Sequence, residues 1–84
     1  MKVLTYSHNG TTEVGILKND GSQVVPVNYL GFDVKDMNEF LDTQDEEKLA
    51  KADRNKELMQ GIPMEEVTKS GGESRMVMGK VGEV

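Results

Sequence analysis

The sequence predicts an α+β domain: a small three-stranded antiparallel β-meander, then one or two short helices, then a C-terminal tail or strand. Three short apolar runs, at residues 2–7, 13–18 and 23–27, have the length and composition of strands. Glycine turns separate them, and their residue types accept the positive φ that tight hairpins need. These turns are His8-Asn9-Gly10 and Asn19-Asp20-Gly21. With 84 residues, the chain has room for one small domain of marginal stability.

Side chains alternate along the predicted strands, and both faces are partly apolar. In the first strand Leu4 and Tyr6 share one face, while Val3 and Thr5 share the other. An antiparallel sheet with one wet face shows cleaner alternation. We therefore expect the meander to be covered on both sides, with another domain as one candidate for the second cover. Pro26 lacks an N–H group and should end the third strand or place it at an edge.

A short helix should follow the meander. Met37, Phe40 and Leu41 have the i, i+3, i+4 spacing of one helical face, and Asp36 is the natural N-cap. A second helix is expected from about residue 45 to residue 60.

The second helix has recognisable start and stop signals. Thr43 and Glu46 have capping-box spacing, and Gly61 is a C-terminal stop. Its apolar stripe is thin, which predicts a surface helix. Pro63 should open a further short helical turn through residues 64–67. Residues 1–60 are thus expected to form the meander and helices, and residues 61–84 a linker or strand.

Composition limits the classes of function. The net charge is −5 and the lysines are interleaved with acids, so nucleic acid is not an expected partner. A membrane is not expected either, because no apolar run is long enough to span one. The sequence has no cysteine, no apolar signal-peptide core and no membrane-spanning run. We expect a cytoplasmic protein.

Candidate chemical groups are few, and each has a simpler structural interpretation. His8 is the only histidine, and it lies beside a turn. Acidic pairs and triplets lack the fixed offsets of calcium loops and suit helix first turns. A glycine pair in residues 70–74 lacks Walker spacing and predicts a flexible loop. The acidic groups are Asp45-Glu46-Glu47 and Glu65-Glu66, and Met76 and Met78 are expected to pack on a neighbouring strand or domain. No catalytic, cofactor-binding or metal-binding residue is assigned.

The first half of the chain resembles a known family through the order and spacing of several blocks. The blocks are Met1-Lys2-Val3-Leu4-Thr5-Tyr6, His8-Asn9-Gly10, Val14-Gly15-Ile16-Leu17, Val24-Val25-Pro26-Val27 and Asp36-Met37-Asn38-Glu39-Phe40-Leu41. Together they are similar to the N-terminal domain of the fumarylacetoacetate hydrolase family, in which a short helix follows the meander. The similarity weakens beyond Leu49.

The resemblance implies a small N-terminal domain in front of a larger catalytic domain. In that family the catalytic domain holds Mg, Mn or Ca through a Glu-x-Glu pair and a later Asp, and cleaves, decarboxylates or isomerises oxo-acids. This chain has no Glu-x-Glu. Asn28-Tyr29 is similar to the start of a family Asn-Tyr-x-x-His motif, but Phe32 replaces the histidine. No ligand or catalytic residue is carried over, and no cofactor is expected in this chain.

Two functional hypotheses follow. The first is a non-catalytic accessory domain of a fumarylacetoacetate hydrolase-like enzyme, in which residues 61–84 lead to an absent catalytic domain. Its partner would be that domain of the same polypeptide, with a homodimer formed through the parent enzyme as a further option. The second is a stand-alone small acidic protein-interaction module. An independent small enzyme is disfavoured, because a catalytic site needs converging titratable groups.

Overall fold

The described part of the chain contains six strands, two α-helices and three short 3₁₀ helices. The computed structural model describes residues 1–43, 45–77 and 80–82, and from residue 69 onwards it describes the backbone alone. The strands are β1 (Lys2–His8), β2 (Thr11–Leu17), β3 (Gln23–Pro26), β4 (Ile62–Pro63), β5 (Thr68–Val77) and β6 (Lys80–Gly82). The helices are α1 (Met37–Asp42) and α2 (Glu46–Asn55). The strands form one antiparallel sheet in the order β4-β3-β2-β1-β5-β6. The predicted α+β class and its meander are confirmed.

The two predicted turns connect the meander strands. Asn9 and Gly10 have φ of 52° and 79°, as the two central residues of a mirror-image type I′ turn require. This two-residue loop places His8 opposite Thr11, so β1 and β2 both reach closer to the turn than predicted. In the second turn Gly21 has φ of 76° and its amide donates to the Lys18 carbonyl at 2.9 Å. β3 ends at Pro26, as predicted.

One face of the sheet packs against both helices. A cluster of buried side chains fills this space, and Phe32 meets Phe40 edge-on with ring centroids 5.1 Å apart. Lys48 of α2 covers the Phe32 ring with its ammonium group 4.7 Å from the centroid. The buried members of this first core are Val3, Val14, Ile16, Val27, Phe32, Phe40, Leu49 and Ala52. Thus α2 contributes Leu49 and Ala52, while Leu58 beyond it is 86% exposed.

Aspartate side chains cap both helices. Asp36 accepts a hydrogen bond from the Glu39 amide at 2.9 Å, which confirms the predicted cap of α1. The cap of α2 is Asp45, which accepts from the Lys48 amide at 3.0 Å. The predicted capping box of Thr43 is therefore wrong, because Thr43 belongs to the end of α1 and its hydroxyl donates to the Glu39 carbonyl.

The second helix is also shorter than expected. α2 ends at Asn55, and Lys56–Leu58 continue as a 3₁₀ turn. Gly61 is not a helix stop. It lies against β3, where a Cβ atom would be 2.5 Å from the Val24 carbonyl oxygen, and its amide donates to the Gln23 side chain at 3.0 Å.

The other face of the sheet forms a second core, which the chain itself helps to cover. Leu4, Tyr6 and Val24 are fully buried there, and half-buried Met64 and Val67 pack on them together with neighbouring strand residues. The predicted burial of both faces is confirmed. This cover comes from residues 64–67, which begin with the 3₁₀ turn Met64–Glu66 predicted after Pro63.

The short connection at residues 64–67 shows that the sheet is curled. It joins β4 to β5, and three strands lie between these two in the sheet. In a flat sheet four spacings of about 4.8 Å would separate them by about 19 Å. A 3₁₀ turn rises only about 2 Å per residue, so the connection spans about 13 Å. The sheet therefore curves around the second core.

The C-terminal part adds strands instead of the predicted loop. β5 runs through residues 70–74, so the flexible loop expected there is wrong. Leu4 pairs with Glu73 and Tyr6 with Lys69, which leaves residues 70–72 as a bulge opposite Thr5. For residues 61–84 the sequence left two options open, a linker or a strand, and the described backbone there includes the strands β4, β5 and β6. The packing predicted for Met76 and Met78 lies outside the described side chains.

Candidate functional site

A polar cleft of about 270 Å³ lies where the start of β2 meets the end of β3 and the loop before α1. Five of its lining residues carry hydroxyl, carboxylate, amide or ammonium groups, and three are apolar. The lining residues are Thr11, Thr12, Glu13, Val14, Pro26, Asn28, Val34 and Lys35. Such a set can donate and accept hydrogen bonds and can pair with either sign of charge. We call this site the polar cleft.

A buried phenol stands directly behind the polar cleft. Tyr6 and Glu13 are paired across β1 and β2, and the Tyr6 hydroxyl donates to Glu13 Oε2 at 2.7 Å. Burial raises the pKa of Tyr6 well above its ordinary value of 10.0, and the hydrogen bond and negative charge of Glu13 raise it further. Tyr29 acts on Tyr6 in the same direction. Tyr6 therefore stays neutral and holds one carboxylate oxygen of Glu13, a residue of the cleft wall.

The other charged group of the polar cleft is loosely held. The Lys35 side chain is 88% exposed, and its Nζ lies 3.9 Å from Glu39 Oε2. The Lys35 amide donates to the other oxygen of Glu39 at 3.1 Å, which completes the start of α1. An exposed pair at this distance contributes little to stability. The ammonium group is thus free to reorient at the rim.

His8 lies near the cleft without lining it. It is the last residue of β1, half-buried and opposite Thr11, so it belongs to the strand pair and not to the turn as predicted. Thr11 does line the cleft. The sequence made His8, the only histidine, the first residue to consider as a functional group, whereas the structure places Thr11, its partner on β2, in the cleft.

The acidic groups considered from the sequence have structural positions. Asp45 caps α2, and Glu46 and Glu47 occupy its first turn, where carboxylates complement the helix dipole. Glu65 and Glu66 are exposed in the 3₁₀ turn that follows Pro63. Within the described residues no three His, Cys, Asp or Glu side chains are grouped to hold a metal ion.

Lys56 is a buried charged residue that the sequence did not reveal. Its side chain is 2% exposed, and Nζ lies 2.6 Å from Asp53 Oδ1 and 3.5 Å from Glu57 Oε2. It also donates to the Asp53 carbonyl at 2.7 Å. Glu57 in turn accepts from the Asn19 amide at 2.9 Å. These bonds tie the end of α2 to the turn between β2 and β3, a structural role.

Comparison of the chain with protein-family models, with curated proteins and with solved structures finds no match. In the part of the chain that the structure describes, no helix has both the length and the apolar character needed to cross a membrane. The fold and the site together define a small α+β domain with a polar cleft at one end of its sheet.

Proposed function

We propose that this chain is a non-catalytic accessory domain of a fumarylacetoacetate hydrolase-like enzyme. The catalytic domain of that enzyme would hydrolyse a carbon–carbon bond in oxo-acids, decarboxylate them or isomerise them with the help of a divalent cation. This domain would cover the catalytic domain, and the polar cleft would face the approach to the active site or the dimer contact.

The order of the elements is the observation that carries the proposal. The resemblance implies a β-meander followed by a short helix at residues 36–41, and α1 (Met37–Asp42) begins there behind its Asp36 cap. The roles of the charged groups add support. Asp36 and Asp45 cap helices, Lys56 pairs with Asp53 at the end of α2, and Glu13 holds Tyr6. These groups are engaged in holding the fold.

The first test is the intact mass of the native polypeptide, detected in its source cells with an antibody against residues 1–60. A species much heavier than 9.3 kDa supports an accessory domain. The isolated chain should then fail to hydrolyse acylpyruvates with magnesium, while the heavier species should do so. Hydrolysis by the isolated chain would contradict the non-catalytic role.

The distribution of charge favours a second candidate, the stand-alone acidic interaction module. Residues 33–47 contain seven acids and one lysine, a net charge of −6, whereas the whole chain has −5. The excess of acidic residues is therefore concentrated in α1, the start of α2 and the loop before α1, and most of the acidic side chains there are exposed. A basic partner would be attracted to this region. A native species of 9.3 kDa that elutes with a larger protein and separates from it in high salt would favour this candidate.

A further inference from the structure

We propose that Asn9 is a site of spontaneous conversion to aspartate and isoaspartate, and that this change loosens the edge of the polar cleft. Asn9 and Gly10 are the two residues of the β1–β2 turn, and both are exposed. Apart from Gly10 itself and its two chain neighbours, no residue has a heavy atom within 4 Å of the position of a Cβ on Gly10. The tip of this hairpin is thus an uncrowded place for a backbone reaction.

The reaction needs water alone. The Gly10 nitrogen attacks the side-chain carbonyl carbon of Asn9, a new C–N bond closes a five-membered succinimide, and ammonia leaves. Water then opens the ring at either carbonyl, which gives aspartate or an isoaspartyl linkage. A side chain at position 10 would hinder this attack, and glycine has none. No redox change or enzyme is involved.

The turn conformation controls the rate. Asn9 is held in the left-handed region with φ of 52° by the type I′ turn. The succinimide ring contains the Cα–C bond of Asn9, so ring closure requires rotation about that bond, away from the turn geometry. The hairpin must therefore open locally before the attack. Loop tips open at the lowest cost in a folded domain, and the first two residues of β2 beyond this tip, Thr11 and Thr12, are exposed. The folded chain should react, although more slowly than an unfolded one.

The four other asparagines form an internal control. Exposure does not distinguish Asn9, because three of the four are exposed as well. The residue that follows does, because each of the others precedes a residue with a side chain. They are Asn19 before Asp20, Asn28 before Tyr29, Asn38 before Glu39 and Asn55 before Lys56.

The product would affect the polar cleft through the strand register. An isoaspartyl linkage adds a backbone atom to a loop whose two residues fit the type I′ geometry. The first cross-strand pairs after the turn are His8 with Thr11, then Ser7 with Thr12, then Tyr6 with Glu13. Thr11, Thr12 and Glu13 all line the cleft. Weaker pairing between β1 and β2 next to the turn therefore loosens the wall of the cleft.

The test is to incubate the folded chain at mildly alkaline pH and to follow all five asparagines by peptide mapping with mass spectrometry. We expect Asn9 to convert several times faster than the other four, with isoaspartate as the major product and with a rate that rises with pH. Conversion at Asn9 no faster than at the others would overturn the proposal.

The Asn9→Asp variant separates charge from the altered linkage. It has the charge of the product but keeps the normal backbone, so its amides at Thr11 and Glu13, which face β1, should exchange hydrogen nearly as in the original chain. The isoaspartyl form, separated by chromatography, should exchange these amides faster. Equal exchange in the two forms would refute the effect on the cleft.

Discussion

Replacing Gly15 with alanine should be among the most damaging single-methyl changes in this domain. Gly15 lies buried in β2, opposite Leu4 of β1. An added Cβ would stand 2.5 Å from Val24 Cγ2 and 2.9 Å from Tyr6 Cε1. The third close atom is the Val25 carbonyl oxygen, also at 2.9 Å. Ordinary contact begins at 3.4 Å, and a backbone oxygen within a hydrogen-bonded ladder cannot move aside as a side chain can.

The expected loss follows from overpacking. Extra methyl groups in a packed core cost about 1–3 kcal/mol, and the backbone clash places Gly15→Ala at the upper end. Alanine also restricts the unfolded chain, which offsets about 0.5 kcal/mol. We therefore expect a net loss of about 2.5 kcal/mol in the free energy of unfolding. In a domain of this size that lowers Tm by about 10–20 °C.

Urea denaturation followed by far-ultraviolet circular dichroism measures this loss. Gly21→Ala is the matched control, because it meets no atom within 4 Å and adds only the strain of a positive φ, about 1 kcal/mol. In a Val24→Ala background the cost of Gly15→Ala should shrink, since one of the three clashing groups is gone. A loss below about 0.5 kcal/mol in the original background would refute the packing argument.

Three further predictions concern single polar groups. Tyr6→Phe should lower the free energy of unfolding by about 1.5 kcal/mol, since Glu13 loses its donor. Above pH 10.0 the Tyr6 phenol ionises in the unfolded chain but stays neutral in the folded one, because its folded pKa is raised. Stability should therefore fall above pH 10.0 in the original chain and less in the variant, as measured by denaturation across pH. Asp45→Ala should lower stability by about 1 kcal/mol and Thr43→Ala by clearly less, and equal losses in urea melts would contradict the assigned cap. Lys56→Met should stay within about 1 kcal/mol of the original, whereas Lys56→Ala should cost about 2 kcal/mol by thermal melting, because the buried stem contributes more to stability than the bonds of the ammonium group.

The meander was predictable because its signals are local. A turn needs φ > 0 at named positions, and Asn9-Gly10 supplies it within two residues. The helix caps show where local signals compete. Thr43 and Asp45 both offer a side-chain oxygen before α2, but Thr43 is already the end of α1, and only the spacing of the two helices decides between them. Gly61 is required by the approach of β3, a contact across 37 residues of sequence that no local pattern encodes.

The site could have been partly anticipated. Once the loop is taken as two residues, counting outward from the turn pairs position 6 with position 13 and brings Tyr6 against Glu13. The predicted strands stopped one residue short of the turn on one side and two on the other, so this pairing was missed. The burial of Lys56 had no such signal, because it depends on how α2 meets the sheet. The lining of the polar cleft by Lys35 depends in the same way on the path of the loop before α1.

The polar cleft exists because the first hairpin extends beyond both hydrophobic cores. In β2 the residues change from exposed at Thr11 and Thr12, through half-buried Glu13, to buried from Val14 onwards. The hydrogen bond between Tyr6 and Glu13 lies at this boundary, where it joins a fully buried phenol to a half-buried residue of the cleft wall. Beyond it the hairpin is held by backbone pairing with little buried apolar area, so it can open without disturbing either core. Amide exchange should therefore slow abruptly between Thr12 and Val14, and a gradual change along β2 would contradict this division.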